Sequence, residues 1–399
     1  MLTGVWAELV GQEKAVEVLR RAVESQPKRS SHAMSHAWLI TGPPGSGRSN
    51  AAKSFAAALQ CVDHGCGRCN ACRTALSGAH PDVTLVRTEA LSIGVDEVRE
   101  LVRRAAMNPV HGRHQVVVVE DADRITERGA DALLKAIEEP APKTVWLLCA
   151  PTPEDVIVTI RSRCRRLHLA TPRDEAVADL LTRRDGIAPE VAAEAARAGQ
   201  GHIGRARRLA WDEEARARRN AIGELPTRLR SLGDCLQAAE DLVNQASEEA
   251  AAATAEVNAA ERAELKKALG FGSSGARPRN AQAALRDLEK QQSARLKRLQ
   301  RDALDRVLTE LTAYHRDVLA IQTGAVRPEE ENALRGARLV NAGWSASLHR
   351  IADSQSPEHT VATIDAILAA RKSLEHGVTP LLVMETLLIA MTGVDRARW

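Results

Sequence analysis

Five short apolar runs punctuate the first part of the chain, at 37–41, 83–87, 116–120, 145–149 and 165–169. Most are apolar almost throughout instead of alternating with polar residues. That pattern suits strands of a parallel sheet covered on both faces. The run at 165–169 is the weakest of the five. Helical periodicity fills the gaps. Segment 12–24 places Ala15, Val16, Leu19, Ala22 and Val23 on one face, and segment 127–139 does the same with Ala130, Leu133, Leu134 and Ile137 until Pro140 stops it. Strands alternating with helices predict an α/β domain over residues 1–170.

After Thr171-Pro172 the pattern turns helical. Segments 174–184 and 189–198 form a small helical unit, followed by a turn bracketed by Gly199 and Gly201. Residues 213–399 read as a long helical region. Within it, helices at 246–269 and 280–321 flank a glycine- and serine-rich loop at 270–275. Residues 246–264 carry five acidic and one basic residue, whereas 277–301 carry eight basic and two acidic. Opposite charges on two helices joined by such a loop predict an antiparallel hairpin; the alternative is a solvated, partly disordered insertion. The longest apolar stretch, 381–391, is interrupted by Glu385 and Thr386 and is too short to span a bilayer, so it reads as a buried helix.

Composition narrows the picture. A chain of 399 residues accommodates two or three domains. A net charge of +3 is no argument for nucleic acid, and two Phe and one Tyr leave little for base stacking. Of seven cysteines, Cys61, Cys66, Cys69 and Cys72 cluster within twelve positions, a distribution that fits a reducing cytosol better than a disulfide framework. The first ten residues lack the pattern of a signal peptide, and the expected location is cytoplasmic.

Three motifs carry chemistry. Gly42-Pro43-Pro44-Gly45-Ser46-Gly47-Arg48-Ser49 follows one strand run and opens a helix, the context of a phosphate-binding P-loop. Gly42, Gly45 and Gly47 let the backbone N–H groups turn around phosphate, and Ser49 stands where a Mg²⁺-binding hydroxyl belongs. Arg48 replaces the motif's lysine with a bulkier, planar cation. The alternative is a glycine turn kept as scaffold with no ligand. The run at 116–119 ends in Glu120-Asp121, resembling a Walker B strand with its two carboxylates reversed. Geometry errors near 1 Å cost about a hundredfold in rate, so two such departures argue against hydrolysis. Cys61, Cys66, Cys69 and Cys72 offer four thiolates, which complete a closed tetrahedral zinc site of structural type. Arg163, in Ser162-Arg163-Cys164, reads on charge alone as part of a basic surface with Arg161, Arg165 and Arg166.

Together these residues resemble the AAA+ clamp-loader ATPases of bacterial DNA polymerase III, and within them the delta-prime type. The resemblance covers most of residues 1–210. It includes Val10-Gly11-Gln12-Glu13, the four-cysteine module, His80-Pro81-Asp82-Val83, the segments 93–99 and 132–140, and Ser162-Arg163-Cys164; segment 379–388 is similar to the family's last collar helix. The resemblance implies an α/β AAA+ P-loop domain with a parallel sheet at 1–170, a helical lid at 171–212 and an all-α collar at 213–399. It implies a stator that joins gamma/tau motor subunits and a delta subunit in a five-membered ring, which loads a sliding clamp on primer-template DNA with no membrane involved. In such a ring Arg163 becomes an arginine finger for a neighbour's ATP site, structural Zn²⁺ is a cofactor, and ATP or ADP with Mg²⁺ is a possible ligand. Alone, the chain is expected to be a weak ATPase or none, as part of a holoenzyme with DNA-directed DNA polymerase (nucleotidyltransferase) activity. Motor subunits keep the P-loop lysine and the Asp-Glu order, and the lid carries Gly-x-x-Arg; here Gly201-His202-Ile203-Gly204 ends in glycine. The rival readings are a self-sufficient AAA+ motor and a DNA-binding protein using Arg295, Lys297 and Arg298.

Overall fold

The computed structural model describes residues 2–25, 34–88, 92–269, 281–326 and 339–392. The five apolar runs form β1 (Ala37–Thr41), β2 (Val83–Val86), β3 (Gln115–Val119), β4 (Thr144–Ala150) and β5 (Arg165–His168). They make one sheet in the order β2-β3-β4-β1-β5, with every neighbouring pair parallel. Trp38 on β1 stands opposite Leu147 on β4 and Arg165 on β5. Helix α1 (Glu13–Glu24) precedes β1, and the crossovers that parallel neighbours require hold α2 (Arg48–Gln60), α3 (Asn70–Ser77), α4 (Val95–Ala105), α5 (Glu127–Glu138) and α6 (Val158–Arg161).

Strand side chains alternate between two cores. Trp38, Ile40, Val116, Val118, Val145, Leu147 and Cys149 pack with α1 and α2, while Leu39, Val117, Val119, Trp146 and Leu148 pack with α4 and α5. This two-sided burial is why the strands read as continuous apolar runs. The small side chains Ala51, Ala52, Ala56, Ala57 and Ala58 are fully buried on α2 and let it lie close to the sheet, where Phe55 meets Trp38 edge to face at 5.2 Å. Three further helices, α7 (Asp174–Asp185), α8 (Pro189–Gly199) and α9 (Ile203–Trp211), complete the first of two compact units, Met1–Trp211.

The second unit, Asp212–Trp399, contains α10 (Glu213–Arg228), α11 (Leu232–Ala268), α12 (Ala281–Gln322), α13 (Ser345–Ser354), α14 (Pro357–Glu375) and α15 (Pro380–Thr392). Its main core joins Cys235, Ala239 and Leu242 of α11, Leu304, Leu308 and Leu311 of α12, Ile367 and Leu374 of α14, and Met384, Leu387 and Leu388 of α15. Among the described residues no helix is long and apolar enough to cross a membrane. Helix α11 starts well before residue 246. Ser231 caps it, its hydroxyl accepting from the Asp234 amide at 3.2 Å while the Asp234 carboxylate accepts from the Ser231 amide at 2.9 Å. Helices α11 and α12 run antiparallel: Glu249 pairs with Arg306 and Glu261 with Arg295, each at 2.8 Å. The loop at 270–280 lies outside the described residues.

One buried group in this unit makes stability depend on pH. His315 on α12 is fully buried, and neither ring nitrogen has a hydrogen-bond partner. Burial, helped by the nearby His359, holds its pKa down at about 4. The folded state therefore resists a proton that the unfolded chain accepts below about 6.5. Stability is intact above that pH and falls as pH drops towards 4, at about 1.4 kcal/mol per pH unit, or about 3 kcal/mol in all. His315→Leu fills a similar volume without buried nitrogens. Thermal unfolding of the variant should lose less in Tm between pH 7 and pH 5 than the parent does; equal losses would exonerate His315.

Candidate functional site

The loop after β1 lies at the carboxyl end of the sheet, where α/β folds place their ligands. Its path is fixed from several sides. The Gly42 amide donates to the Pro151 carbonyl beyond β4 at 3.1 Å. Gln12 bridges the loop to the end of β5: its side-chain amide donates to Ala170 O at 2.7 Å and Ser46 O at 3.3 Å, and its oxygen accepts from the Ala170 amide at 3.1 Å. Gly45 has φ +82°, and a Cβ there would lie 2.2 Å from the His202 ring, so only glycine fits beneath that side chain. His202 precedes α9, accepts from the Arg205 amide at 3.2 Å, and is kept from charging first by burial and then by Arg205 and Arg48.

Arg48 opens α2, but its guanidinium turns back and donates to the Gly42 carbonyl at 2.7 Å. Ser49 lies beside it in the first turn of α2, at the amino end of the helix where an anion is favoured. Ser46 is buried, and its hydroxyl has no hydrogen-bond partner. Glu120 and Asp121 directly follow β3, with the Glu120 amide donating to Val86 O at 2.9 Å. The Glu120 carboxylate is occupied: Lys53 Nζ sits 2.8 Å away, with side-chain exposures of 28% and 11%. Lys53 lies one helical turn beyond Ser49 on α2, and neither it nor His202 stands out in the sequence as a site residue. The four charges Arg48, Glu120, Asp121 and Lys53 all act on the buried Cys149 thiol, which burial pushes up to about 12.

Arg163 lies elsewhere, just beyond α6. It pairs with Glu138 at 2.6 Å and donates to Thr159 O at 2.9 Å, and both members of the ion pair are 41% exposed. An exposed pair of this kind is weak and can be exchanged for a better anion. The basic residues of α12 are less available. Arg295 is 13% exposed and bound to Glu261 and Asn258, and Arg298 is similarly covered, which disfavours DNA binding through them. Asp82, in the His80-Pro81-Asp82 segment, has a structural task. Burial opposes its charge, but the amides of Val110, His111 and Gly112 donate to its carboxylate and hold its pKa below the usual range.

The four cysteines converge at the end of α2 and the start of α3. Their sulfur atoms lie within 4.8 Å of one another, and none is in a disulfide. Cys61 Sγ is 3.7 Å from the sulfurs of both Cys66 and Cys69. A tetrahedron with zinc–sulfur bonds of about 2.3 Å has edges of about 3.8 Å, so the spacing fits a structural zinc site. The backbone N–H groups of Arg68 and Cys69 draw the Cys66 thiol down to about 6, whereas burial pushes Cys72 up. The turn at Gly65, φ +108°, is clasped by the N-terminal segment: the Val5 amide donates to Gly65 O at 3.0 Å, and Ser54 on α2 donates to Val5 O at 2.7 Å.

The protein family described as DNA polymerase III, delta subunit, matches residues 11–173. DNA polymerase III subunit gamma/tau of Mycobacterium tuberculosis is 35% identical over 175 residues, 42% of this chain and 29% of the relative. Subunit delta' of Pseudomonas aeruginosa is 38% identical over 158 residues, 38% of this chain and 47% of the relative. Subunit delta' of Bacillus subtilis is 29% identical over 184 residues, 45% of this chain and 54% of the relative. The chain thus spans about half the length of the delta' relatives and less than a third of gamma/tau.

Proposed function

We propose, from the match of residues 11–173 to the family described as DNA polymerase III, delta subunit, and from the similarity to delta' subunits, that this chain is a delta-prime-type stator of a clamp loader of the AAA+ class. It supports ATP-dependent loading of a sliding clamp on primed DNA, alongside gamma/tau and delta subunits in a five-membered ring. Residues 1–170 form the base, 171–212 the lid and 213–399 the collar that holds the ring together. The four cysteines hold Zn²⁺ as a brace for the base.

The observation that carries this reading is the direction of Arg48. A catalytic P-loop cation reaches outward to the β- and γ-phosphates, whereas Arg48 donates back to Gly42 O at 2.7 Å. The contact of Gly45 with His202 and the pairing of Glu120 with Lys53 support it. Arg163, partly exposed and held by a weak pair, supports a role in a neighbour's site instead. Sequence identity to gamma/tau and to delta' is similar, so activity must separate a stator from a motor. The isolated chain should show no ATP turnover above background, and Ser49→Ala should change nothing. Measurable turnover that Ser49→Ala abolishes would make the chain a motor in its own right.

A further inference from the structure

A P-loop site that handles Mg·nucleotide needs a carboxylate at the end of its acidic strand, free to bind the metal or its water shell. Here the residues do not fit that requirement. Glu120 is the first carboxylate after β3, and Lys53 Nζ stands 2.8 Å from it in a pair that solvent reaches poorly. Partial burial of both partners means that salt screens the pair less than an exposed one. Lys53 is placed there by the helix. It projects from α2 one turn after Ser49, whose hydroxyl would complete a metal's coordination. Arg48 opens the same helix, so a second cation stands near the amino end of α2. The pairing neutralises the Glu120 carboxylate, and an ammonium fixed 2.8 Å from it repels a divalent ion directly.

We propose that the ammonium of Lys53 occupies the place of the divalent cation at this P-loop, so that any nucleotide taken up by the loop is bound without metal. The inference deepens the reading of a non-hydrolysing site by giving it a specific cause. It differs from the loss of the P-loop lysine. Arg48 alters the phosphate contact, whereas Lys53 excludes the metal, and the two are separable by mutation.

The test is equilibrium dialysis of labelled ADP against the zinc-replete full chain, in chelator-free buffer without added divalent cation and in the same buffer with Mn²⁺. For the parent protein, ADP retention should be the same in both conditions, including the case of no retention in either. Lys53→Met keeps the apolar stem and removes the charge. This variant should bind ADP at least about tenfold more tightly with Mn²⁺ than without it. Adding Glu120→Gln should abolish the gain, and Lys53→Arg, which preserves the cation, should behave as the parent. Circular dichroism checks that each variant is folded; should Lys53→Met fail to fold, Lys53→Gln serves in its place. A parent protein that binds ADP about tenfold more tightly with Mn²⁺ would overturn the proposal, as would a charge-free variant with no metal dependence. Metal-dependent binding by the parent protein without ATP turnover would sink this inference alone, whereas turnover by the isolated chain would sink the stator reading.

Discussion

Replacing Arg163 by alanine is expected to lower ATP turnover of the reconstituted clamp-loader complex by on the order of a thousandfold, the scale of a lost arginine finger, while the complex stays assembled. The side chain has the properties the role requires. It sits just past α6, 41% exposed, on a backbone turn anchored by the Arg163 amide donating to Ile160 O at 3.0 Å. Its guanidinium is pre-oriented by Thr159 O and Glu138, and neither contact belongs to the hydrophobic core. Truncation should therefore leave folding and assembly unchanged on gel filtration. Arg163→Lys should recover little, because an ammonium cannot reproduce a planar, bidentate contact with phosphate oxygens. Glu138→Gln is the informative companion. It releases the tether without touching the finger, so turnover should change far less than with Arg163→Ala. ATPase assays of the complex with DNA and clamp decide the matter, and near-normal turnover in Arg163→Ala would remove the finger role.

The contrast between Arg163 and the chain's own loop also shows what a sequence reveals and what it hides. The strands of the sheet were legible because residues such as Val117 and Val118 are buried on opposite faces, leaving unbroken apolar runs. The P-loop and the cysteine cluster were legible because each is a local spacing of chemically distinctive residues. The partners that decide the site's chemistry are not local. Lys53 meets Glu120 only because separate crossovers bring α2 and the end of β3 to the same edge of the sheet. His202 reaches Gly45 across more than 150 residues of chain, in a segment whose sequence draws attention only to the arginine it lacks at Gly204. Glu138 reads as the end of an amphipathic helix, yet it is the residue that holds Arg163. The start of α11 was a different kind of miss. Its Ser231/Asp234 capping box is a local signal, but the charge contrast beyond residue 246 drew the boundary inward.

The cysteine cluster gives the second large effect. Purified chain should hold one zinc ion, and Cys72→Ala should lose it together with on the order of a few kcal/mol of stability, or roughly 10 °C in Tm. Two costs combine in that figure. Cys72 is fully buried, so its removal opens a void in the packing between α2 and α3, and the remaining thiolates lose the ion that offsets their mutual repulsion. The loss should remain below the about 10–16 kcal/mol that zinc supplies to isolated finger peptides, because the sheet and its two cores do not depend on the metal. The damage should also be local and predictable in place. Val5 and Trp6 pack where the Gly65 turn stands, with Val5 bonded to Gly65 O and to Ser54, so hydrogen exchange should rise first across the N-terminal segment and residues 61–78. Cys235→Ala, which removes a buried thiol from the other unit, is the control. It should cost packing energy but leave the zinc content at one. A chain that carries no zinc after mild purification would show that the four thiols serve as reduced packing groups, whereas a Cys72→Ala variant that keeps its ion would remove Cys72 from the ligand set.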